Sequence, residues 1–403
     1  MPKPLSPSTI GIVKATVPAL EAHGFQIVRT MYGRMFQNPA IRDLFNQSHH
    51  GDGASQPKAL TGAILAYARN IDNLGVLSAA VERIAQKHVG LQILPEHYPY
   101  VAEALLGAIK EVLGEAATEP VLAAWGEAYW FLADILIERE AAIYRHIADA
   151  EGGWNGWREF RIVARTKESD AIASFTLAPV DGGPVLRHKP GQYLTFWIEQ
   201  PGRPALKRNY SVSSAPNGRD YRISVKREPH GVVSGWLHDE AQVGTVLKVG
   251  APAGEFFLEG VPERPVVLLS GGVGLTPMAS ILAALAEARA QVPVHYVHAA
   301  RDGGVHALGD EVRALVADRP NFSACTFYET PRAEDGDGRY DVSGRVTVDW
   351  LLANTPAREA DIYVCGPRGF LATFVHGLEA AGVPAANVHY EYFGPAEGLP
   401  AAA

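Results

Sequence analysis

The 403-residue sequence predicts a chain in three parts: an all-helical segment to about residue 150, a small antiparallel β-barrel, and an α/β doubly wound domain. Three observations carry this. The length exceeds one ordinary core. Apolar residues in the first 150 positions recur every three to four residues, with almost no strand signal. Beyond Gly152-Gly153-Trp154-Asn155-Gly156-Trp157 the period becomes two, and from Arg264 short apolar runs alternate with helical segments.

In the helical part Ile10, Val13, Val17 and Leu20 share a face after Pro7, and Phe25, Val28, Tyr32 and Met35 share one after Gly24. Asn38-Pro39 interrupts the pattern, and residues 46–55 have the composition of a loop. Helical spacing returns with Leu60, Ile64, Tyr67 and Ile71, then with Leu77, Val81, Ile84 and His88. Pro95 opens a helix through Val101, Leu105 and Ile109, and a long helix follows from about 119 to 147. In the barrel, short strands are expected around Phe160, Ser174, Tyr193, Tyr210 and Tyr221, parted by Gly, Pro and Asn turns. In the last part, strands are expected at Val266, Val294, Ala324 and Ile362.

An apolar fraction of 47% and a charged fraction of 20% are those of a soluble globular protein. The net charge of −8 disfavours a nucleic-acid or anionic-membrane partner. Cys325 and Cys365 are the only cysteines, which excludes a disulfide scaffold and a Cys-rich zinc or iron–sulfur site. The start lacks the apolar core of a signal peptide, and no apolar run reaches membrane-spanning length, the stretch 129–137 being interrupted by Asp134. A cytoplasmic protein without a membrane span is expected.

Chemistry concentrates in three motifs. Val266–Leu269 reads as a buried strand running into Gly271-Gly272-Val273-Gly274-Leu275-Thr276-Pro277, with Pro277 in the first turn of the next helix. A glycine turn between strand and helix lets backbone N–H groups approach a pyrophosphate. Pro277 stands where the usual dinucleotide fingerprint has its last glycine, and the plain alternative is a Gly-rich turn. Arg208-Asn209-Tyr210-Ser211 lies on a barrel strand. Tyr210 and Ser211 suit the edge and rim of a flavin ring and Arg208 its phosphates, with Tyr193 as a second aromatic; an ordinary strand with a solvated Arg is the alternative. Residues 231–234, ending at Ser234, precede a helix and form a further candidate anion site. Val364-Cys365-Gly366-Pro367 closes a late strand, where a lone Cys otherwise means packing.

In this order the motifs resemble the ferredoxin–NADP reductase superfamily over about 157–395. The resemblance implies FAD in the barrel and NAD(P)H in the α/β domain, with Cys365 near the nicotinamide. Arg301 stands where a 2′-phosphate would be met, or is simply solvated.

In the helical half His88 continues the apolar face of Val81 and Ile84, so it points inward. It is the best axial heme ligand, against the alternative of a satisfied core histidine. His49-His50 have too few nearby partners for a metal site. The set Tyr32-Gly-Arg-Met-Phe36, Phe45, Gln56 with Leu60, Ile84-Ala-Gln-Lys-His88, Tyr98 and Arg139-Glu140-Ala-Ala-Ile-Tyr144 resembles the globin domain of the flavohemoglobins. The tail His389-Tyr-Glu-Tyr-Phe-Gly-Pro395 resembles that family's C-terminus.

The resemblance implies a globin (heme) domain over 1–150, a FAD-binding barrel over 151–262 and an NAD(P)H-binding domain over 263–403. It implies one heme b, FAD and NAD(P)H as cofactors. His88 is then the iron ligand, with Tyr98 and Glu140 around its other ring nitrogen. Tyr32 is the distal donor, Gln56 and Leu60 line the same pocket, and Phe45 packs on the porphyrin. Lys87 and Glu391 lie near the heme–flavin gap. Phe393 lies against the flavin, with Tyr392, Gly394 and Pro395 completing the tail motif. Asn209 replaces the Gln common in the family, and Tyr392 occupies a variable place.

The activity implied is that of a nitric oxide dioxygenase: hydride passes from NAD(P)H to FAD, electrons pass singly to heme, and NO and O₂ become nitrate. A monomer with only small-molecule partners is expected. Three rivals stand beside this reading. They are an oxygen sensor or store, a reductase of peroxides, alkyl hydroperoxides or quinones, and a flavin reductase whose helical part binds a partner.

Overall fold

A computed structural model describes residues 3–44, 55–200, 204–336 and 338–394. The predicted Phe45, His49, His50 and Pro395 lie outside these residues. The chain divides into two compact units, one of 1–150 with 197–208, the other of 151–196 with 209–394.

The first unit contains helices α1 (Pro7–Ala15), α2 (Val17–Met35), α3 (Pro39–Arg42), α4 (Ser55–Arg69), α5 (Ser78–Leu91), α6 (Tyr98–Leu113) and α7 (Glu119–Asp149). Capping follows the sequence: Ser6 accepts from the Thr9 amide ahead of Pro7, and Asn38 accepts from the Ala40 amide ahead of Pro39. One expectation fails at the front. The helix expected through Val17 breaks at Thr16, and no break occurs at Gly24. Pro18 explains the break, because its ring leaves the preceding turn without a hydrogen bond. Gly24 sits inside α2 because a Cβ there would lie 3.1 Å from the Thr61 methyl of α4, so the residue serves close helix approach. Phe25, expected on the buried face, is 37% exposed, whereas Val28, Tyr32 and Met35 are buried. Among the described residues α7 is the one helix long and apolar enough to cross a membrane by length and composition. It packs against α1, α5 and α6 and carries Glu127, Asp134, Glu138 and Glu140, as a core helix of a helical domain does.

The second unit holds the α/β domain and the barrel apart from residues 197–208, which count with the first unit. Strands β1 (Arg158–Lys167), β2 (Ile172–Pro179), β3 (Tyr193–Ile198), β4 (Leu206–Ser211) and β5 (Tyr221–Lys226) precede helix α8 (Val232–Asp239), and β6 (Val246–Val249) follows it. The six strands order as β4-β3-β6-β1-β2-β5, and an antiparallel bridge from Val212 to Ile223 joins the two ends of that order. Closure leaves few unpaired edges. β6 was not anticipated; its four residues begin with an exposed Val246 and are too short for a period to show.

Next come β7 (Val266–Gly271), α9 (Leu275–Glu287), β8 (Val294–Ala300), α10 (Gly309–Ala317), β9 (Phe322–Tyr328), β10 (Val342–Ser343), α11 (Val348–Asn354), β11 (Asp361–Cys365), α12 (Arg368–Ala380) and β12 (Val388–Glu391). They form a parallel sheet ordered β10-β9-β8-β7-β11-β12, with every residue of β7 buried. Strand order reverses between β7 and β11, and such sheets bind ligands at the carboxyl ends of the strands flanking that reversal.

Two buried histidines and a half-buried one tie this unit's stability to pH. Burial pushes His188 and His306 down to about 4, with the Arg313 charge helping at His306, and lowers His298 further. These groups are neutral when folded and protonate on unfolding. Their stabilisation is whole above the ordinary histidine pKa near 6.5 and is lost as pH falls from there, toward 4 for His188 and His306, at most about 3 kcal/mol for each of those two. His188 donates from Nε2 to the Ser214 carbonyl at 3.1 Å, and the Ser280 hydroxyl lies 3.1 Å from the same nitrogen. Melting curves taken from pH 7 to pH 4 are expected to fall steeply, and His188→Gln is expected to flatten the fall.

Candidate functional site

The first constellation is built on α5, α6 and α7. His88 stands in the last turn of α5, and its Nδ1 lies 2.7 Å from Glu140 Oε1 and 3.1 Å from the Tyr98 hydroxyl. Tyr98 donates to the same Glu140 oxygen at 2.6 Å. Glu140 is only 2% exposed, and its second oxygen is buried without a hydrogen-bond partner. Glu140 is thus a buried acid, and its neighbour Arg139 pairs instead with Glu82 of α5 at 2.6 Å. Burial, reinforced by the neighbouring Glu140 charge, pushes the Tyr98 phenol far above its ordinary range, so it stays a donor. Tyr129 extends the network by donating to the Tyr98 carbonyl at 2.7 Å.

This donor set fits a heme iron. With Nδ1 facing a buried carboxylate, the imidazole proton is held on that nitrogen and Nε2 keeps its lone pair for a metal.

On α2, Tyr32 is buried and its phenol is pushed well up by that burial, while the Gln56 side chain hydrogen-bonds it. Gln56 lies on α4, and Leu60 lies half-buried one turn further along it. The Phe36 ring centroid is 5.4 Å from that of Tyr32. Lys87 is exposed on α5. A residue missed in the sequence is Lys207, beside Arg208. It belongs to the first unit, is 3% exposed, donates to the Leu91 carbonyl at 2.9 Å and is pushed down by burial to about 8. Leu91 ends the helix of His88, where a cation is favoured. Nothing in a period-two strand pattern distinguishes such a lysine from a solvated one.

The second constellation lies in the other unit. β7 ends at Gly271, a single 3₁₀ turn covers Gly272–Gly274, and α9 begins at Leu275 with Thr276 and Pro277 in its first turn. Gly272 has φ +54°, a conformation that favours glycine. A Cβ at Gly274 would stand 2.2 Å from the Cys365 carbonyl oxygen, and one at Gly271 would meet Phe370 and Pro367 at 3.2 Å. The glycine turn, with Val273 at its middle, and the Cys365-Gly366-Pro367 segment are thus packed on each other at the reversal of strand order. Gly274→Ala is expected to force this backbone apart, cost about 1–3 kcal/mol of stability and slow flavin reduction by NADH at least about tenfold. Anaerobic stopped-flow bleaching of the flavin measures it.

The tail meets the same place. Glu391 is in register with Cys365 on β12, and its charge adds to burial in raising both the Cys365 thiol and the Tyr193 phenol. Tyr193, Cys365 and Glu391 are thereby gathered, from three distant stretches of sequence. Phe393 is exposed, and Tyr392 and Gly394 are half-buried beside it.

In the barrel, Tyr210 packs edge-on to Phe196 at 5.6 Å, Ser211 is buried, and exposed Asn209 accepts from the Thr195 hydroxyl at 2.9 Å. Arg208 donates to the Lys207 carbonyl at 2.7 Å. Ser234 lies inside the first turn of α8 rather than ahead of it, and its hydroxyl accepts from the Glu228 amide at 3.2 Å. Arg301 pairs with Asp302 at 3.0 Å. No group of three or more metal-ligating side chains occurs among the described residues.

The comparisons with known proteins run the length of the chain. Residues 29–136 match the globin family, 159–258 the oxidoreductase FAD-binding domain and 268–376 the oxidoreductase NAD-binding domain. A flavohemoprotein of Xylella fastidiosa is 56% identical over 97% of this chain and 97% of its own. The chain belongs to the flavohemoproteins. A crystal structure of the flavohemoglobin of Malassezia yamatoensis, with bound FAD and heme, superposes with a TM-score of 0.86 at 28% identity, covering 97% of this chain and 100% of that one. The FAD/NAD-binding domain of the nitric oxide dioxygenase of Vibrio cholerae covers 59% of this chain and 99% of its own, at 40% identity and TM-score 0.54. As a flavohemoprotein the chain is an NAD(P)H-dependent oxidoreductase with heme and FAD as cofactors, and its architecture delivers electrons from nicotinamide through flavin to heme.

Proposed function

We propose that this flavohemoprotein is a nitric oxide dioxygenase, with domains over 1–150, 151–262 and 263–403, acting as a cytoplasmic monomer. The reaction balances as NAD(P)H + 2 NO + 2 O₂ → NAD(P)⁺ + 2 nitrate + H⁺. Heme, when bound, supplies the iron at which the two gases meet, and FAD splits the hydride's electron pair into single electrons.

The observation that carries the reading is the buried carboxylate on His88. Glu140 and Tyr98 hold the Nδ1 proton, which makes Nε2 a stronger donor than an imidazole facing a carbonyl. An oxygen carrier gains little from such a donor, whereas an oxygen-consuming site does. On the other side Tyr32, kept neutral by burial, offers an O–H to negative charge developing on oxygen, with Gln56 fixing its direction. Leu60 would exclude water from that pocket, and the family resemblance assigns Phe45 to the porphyrin.

In the reductase part Arg208 would neutralise the phosphates of FAD, Tyr193, Tyr210 and Phe393 would hold its ring, and Asn209, Ser211 and Ser234 would offer polar contacts. The turn from Gly272 to Pro277 admits the nicotinamide nucleotide's pyrophosphate. Cys365, held neutral by burial, closes the floor with Gly366 and Pro367. The family resemblance assigns to Lys87, to Glu391 and to the tail motif from Tyr392 a role in tuning electron transfer. The name of the Vibrio cholerae relative supports the same reading.

The test is stoichiometry. Purified protein given NADH, O₂ and NO is expected to form two nitrates for each NADH, and nitrate formation no faster than the uncatalysed rate would refute the proposal. The proximal carboxylate also suits O–O cleavage, so turnover on an alkyl hydroperoxide, measured beside that on NO, ranks the two substrates. Glu140→Gln is expected to lower NO turnover about tenfold or more with heme retained. A weakened iron–histidine stretch in the resonance Raman spectrum is expected to accompany it.

A further inference from the structure

Lys207 is a cation taken almost wholly out of water. It is 3% exposed and lies in the stretch 197–208 that counts with the helical unit. A lysine is seldom buried so fully unless its ammonium finds partners. Here Nζ donates to the Leu91 carbonyl at 2.9 Å and to the Leu44 carbonyl at 3.5 Å, and it stands 5.1 Å from the centroid of the Trp197 ring. Carbonyl dipoles and an aromatic face both favour the charged form. Burial pushes the amine down to about 8, with the Asp43 carboxylate opposing, so the group is charged at neutral pH. Asp43 in turn pairs with Arg42 at 2.8 Å.

The place of this charge gives it a use. Leu91 is the last residue of α5, and His88 lies three residues before it, a rise of about 4.5 Å. The chain turns there at Gln92, with φ +62°, and the Ile93 amide donates to the His88 carbonyl at 2.9 Å while Lys207 takes that of Leu91. Burial, opposed by Glu96 and joined by the Lys207 charge, holds the His97 imidazole below its ordinary range, so the field reaches the residue next to Tyr98. Salt screens such a buried charge little. Iron carries one positive charge more when ferric than when ferrous, so a cation near His88 favours the ferrous state. Glu140 works the other way, since a stronger imidazole donor stabilises ferric iron. We propose that Lys207 offsets Glu140: its cation, fixed at the end of the His88 helix, raises the reduction potential of the heme and so favours the arrival of electrons from the flavin. Lys207 touches neither iron nor substrate and is a positioning residue acting through α5. The inference rests on His88 holding the iron and not on which gas is consumed.

Spectroelectrochemical titration of the heme-loaded full-length protein at pH 7 reads the heme potential directly. Lys207→Met keeps the length of the side chain and removes its charge. It is expected to lower the potential, so that the ferrous-to-ferric ratio at a fixed applied potential falls about tenfold. Lys207→Gln, which keeps a hydrogen-bond donor without the charge, is expected to fall as far. Lys207→Arg, which keeps the charge, is expected to stay within about twofold of the wild type. An unchanged ratio in the Met and Gln variants overturns the proposal. So does a fall confined to the Met variant, which would assign the effect to the hydrogen bond at Leu91, and so does an equal fall in all three, which would mark disturbed packing. The Met and Gln variants remove the charge independently, so misfolding of one leaves the other to decide. A wild type that takes up no heme would sink the His88 reading and this inference with it, whereas heme-loaded variants with the wild-type potential would sink this inference alone.

Discussion

Replacing His88 by alanine is expected to remove the Soret band, abolish nitrate formation and leave the reductase half working. His88 is the one described side chain whose Nδ1 faces both Glu140 and Tyr98, so no neighbour replaces it as an iron ligand. The loss should reach the uncatalysed rate, about a thousandfold or more. Flavin content and NADH-driven reduction of a soluble dye such as ferricyanide should stay within about twofold of wild type, because the glycine turn and the Cys365 segment belong to the other unit. A variant that keeps its Soret absorbance would show that the iron is held elsewhere. The outcome also separates this account from a bare flavin reductase, for which His88 would matter to neither heme nor turnover.

Tyr32→Phe is expected to produce the next largest effect. The substitution keeps the ring packed against Phe36 and removes only the hydroxyl that Gln56 hydrogen-bonds. Deleting a donor aimed at developing oxyanion charge typically lowers turnover about 10²-fold. The O₂ dissociation rate from the reduced protein should rise in parallel, and heme content and flavin reduction should not change. If NO turnover falls while O₂ dissociation is unaltered, the hydroxyl acts on something other than oxygen. Gln56→Leu should give a smaller effect of the same kind, since it frees the phenol without removing it.

Much of this was legible in the sequence, and the unread parts have physical reasons. The inward direction of His88 follows from its spacing behind Val81 and Ile84, because a helix puts such residues on one face. That Tyr98 and Glu140 converge on it does not follow from spacing, since the three lie on three helices and period alone fixes no helix-to-helix register; the family resemblance supplied that link. The glycine turn was readable because chemistry there is local, strand to turn to helix, and the structure explains its glycines through backbone contact with Cys365. The break at Thr16 was misplaced because the apolar period of Val13, Val17 and Leu20 runs through it, and only the proline two positions later marks the end of α1. Lys207 escaped notice because a buried lysine differs from an exposed one by what surrounds it, here the end of the helix that carries His88.

The most direct test of the central claim follows electrons. Anaerobic protein is mixed rapidly with NADH while flavin and heme absorbance are recorded together. The account predicts that the flavin bleaches first and that the heme band then moves from its ferric to its ferrous position, at a rate sufficient for turnover. A flavin that bleaches while the heme stays ferric would contradict it.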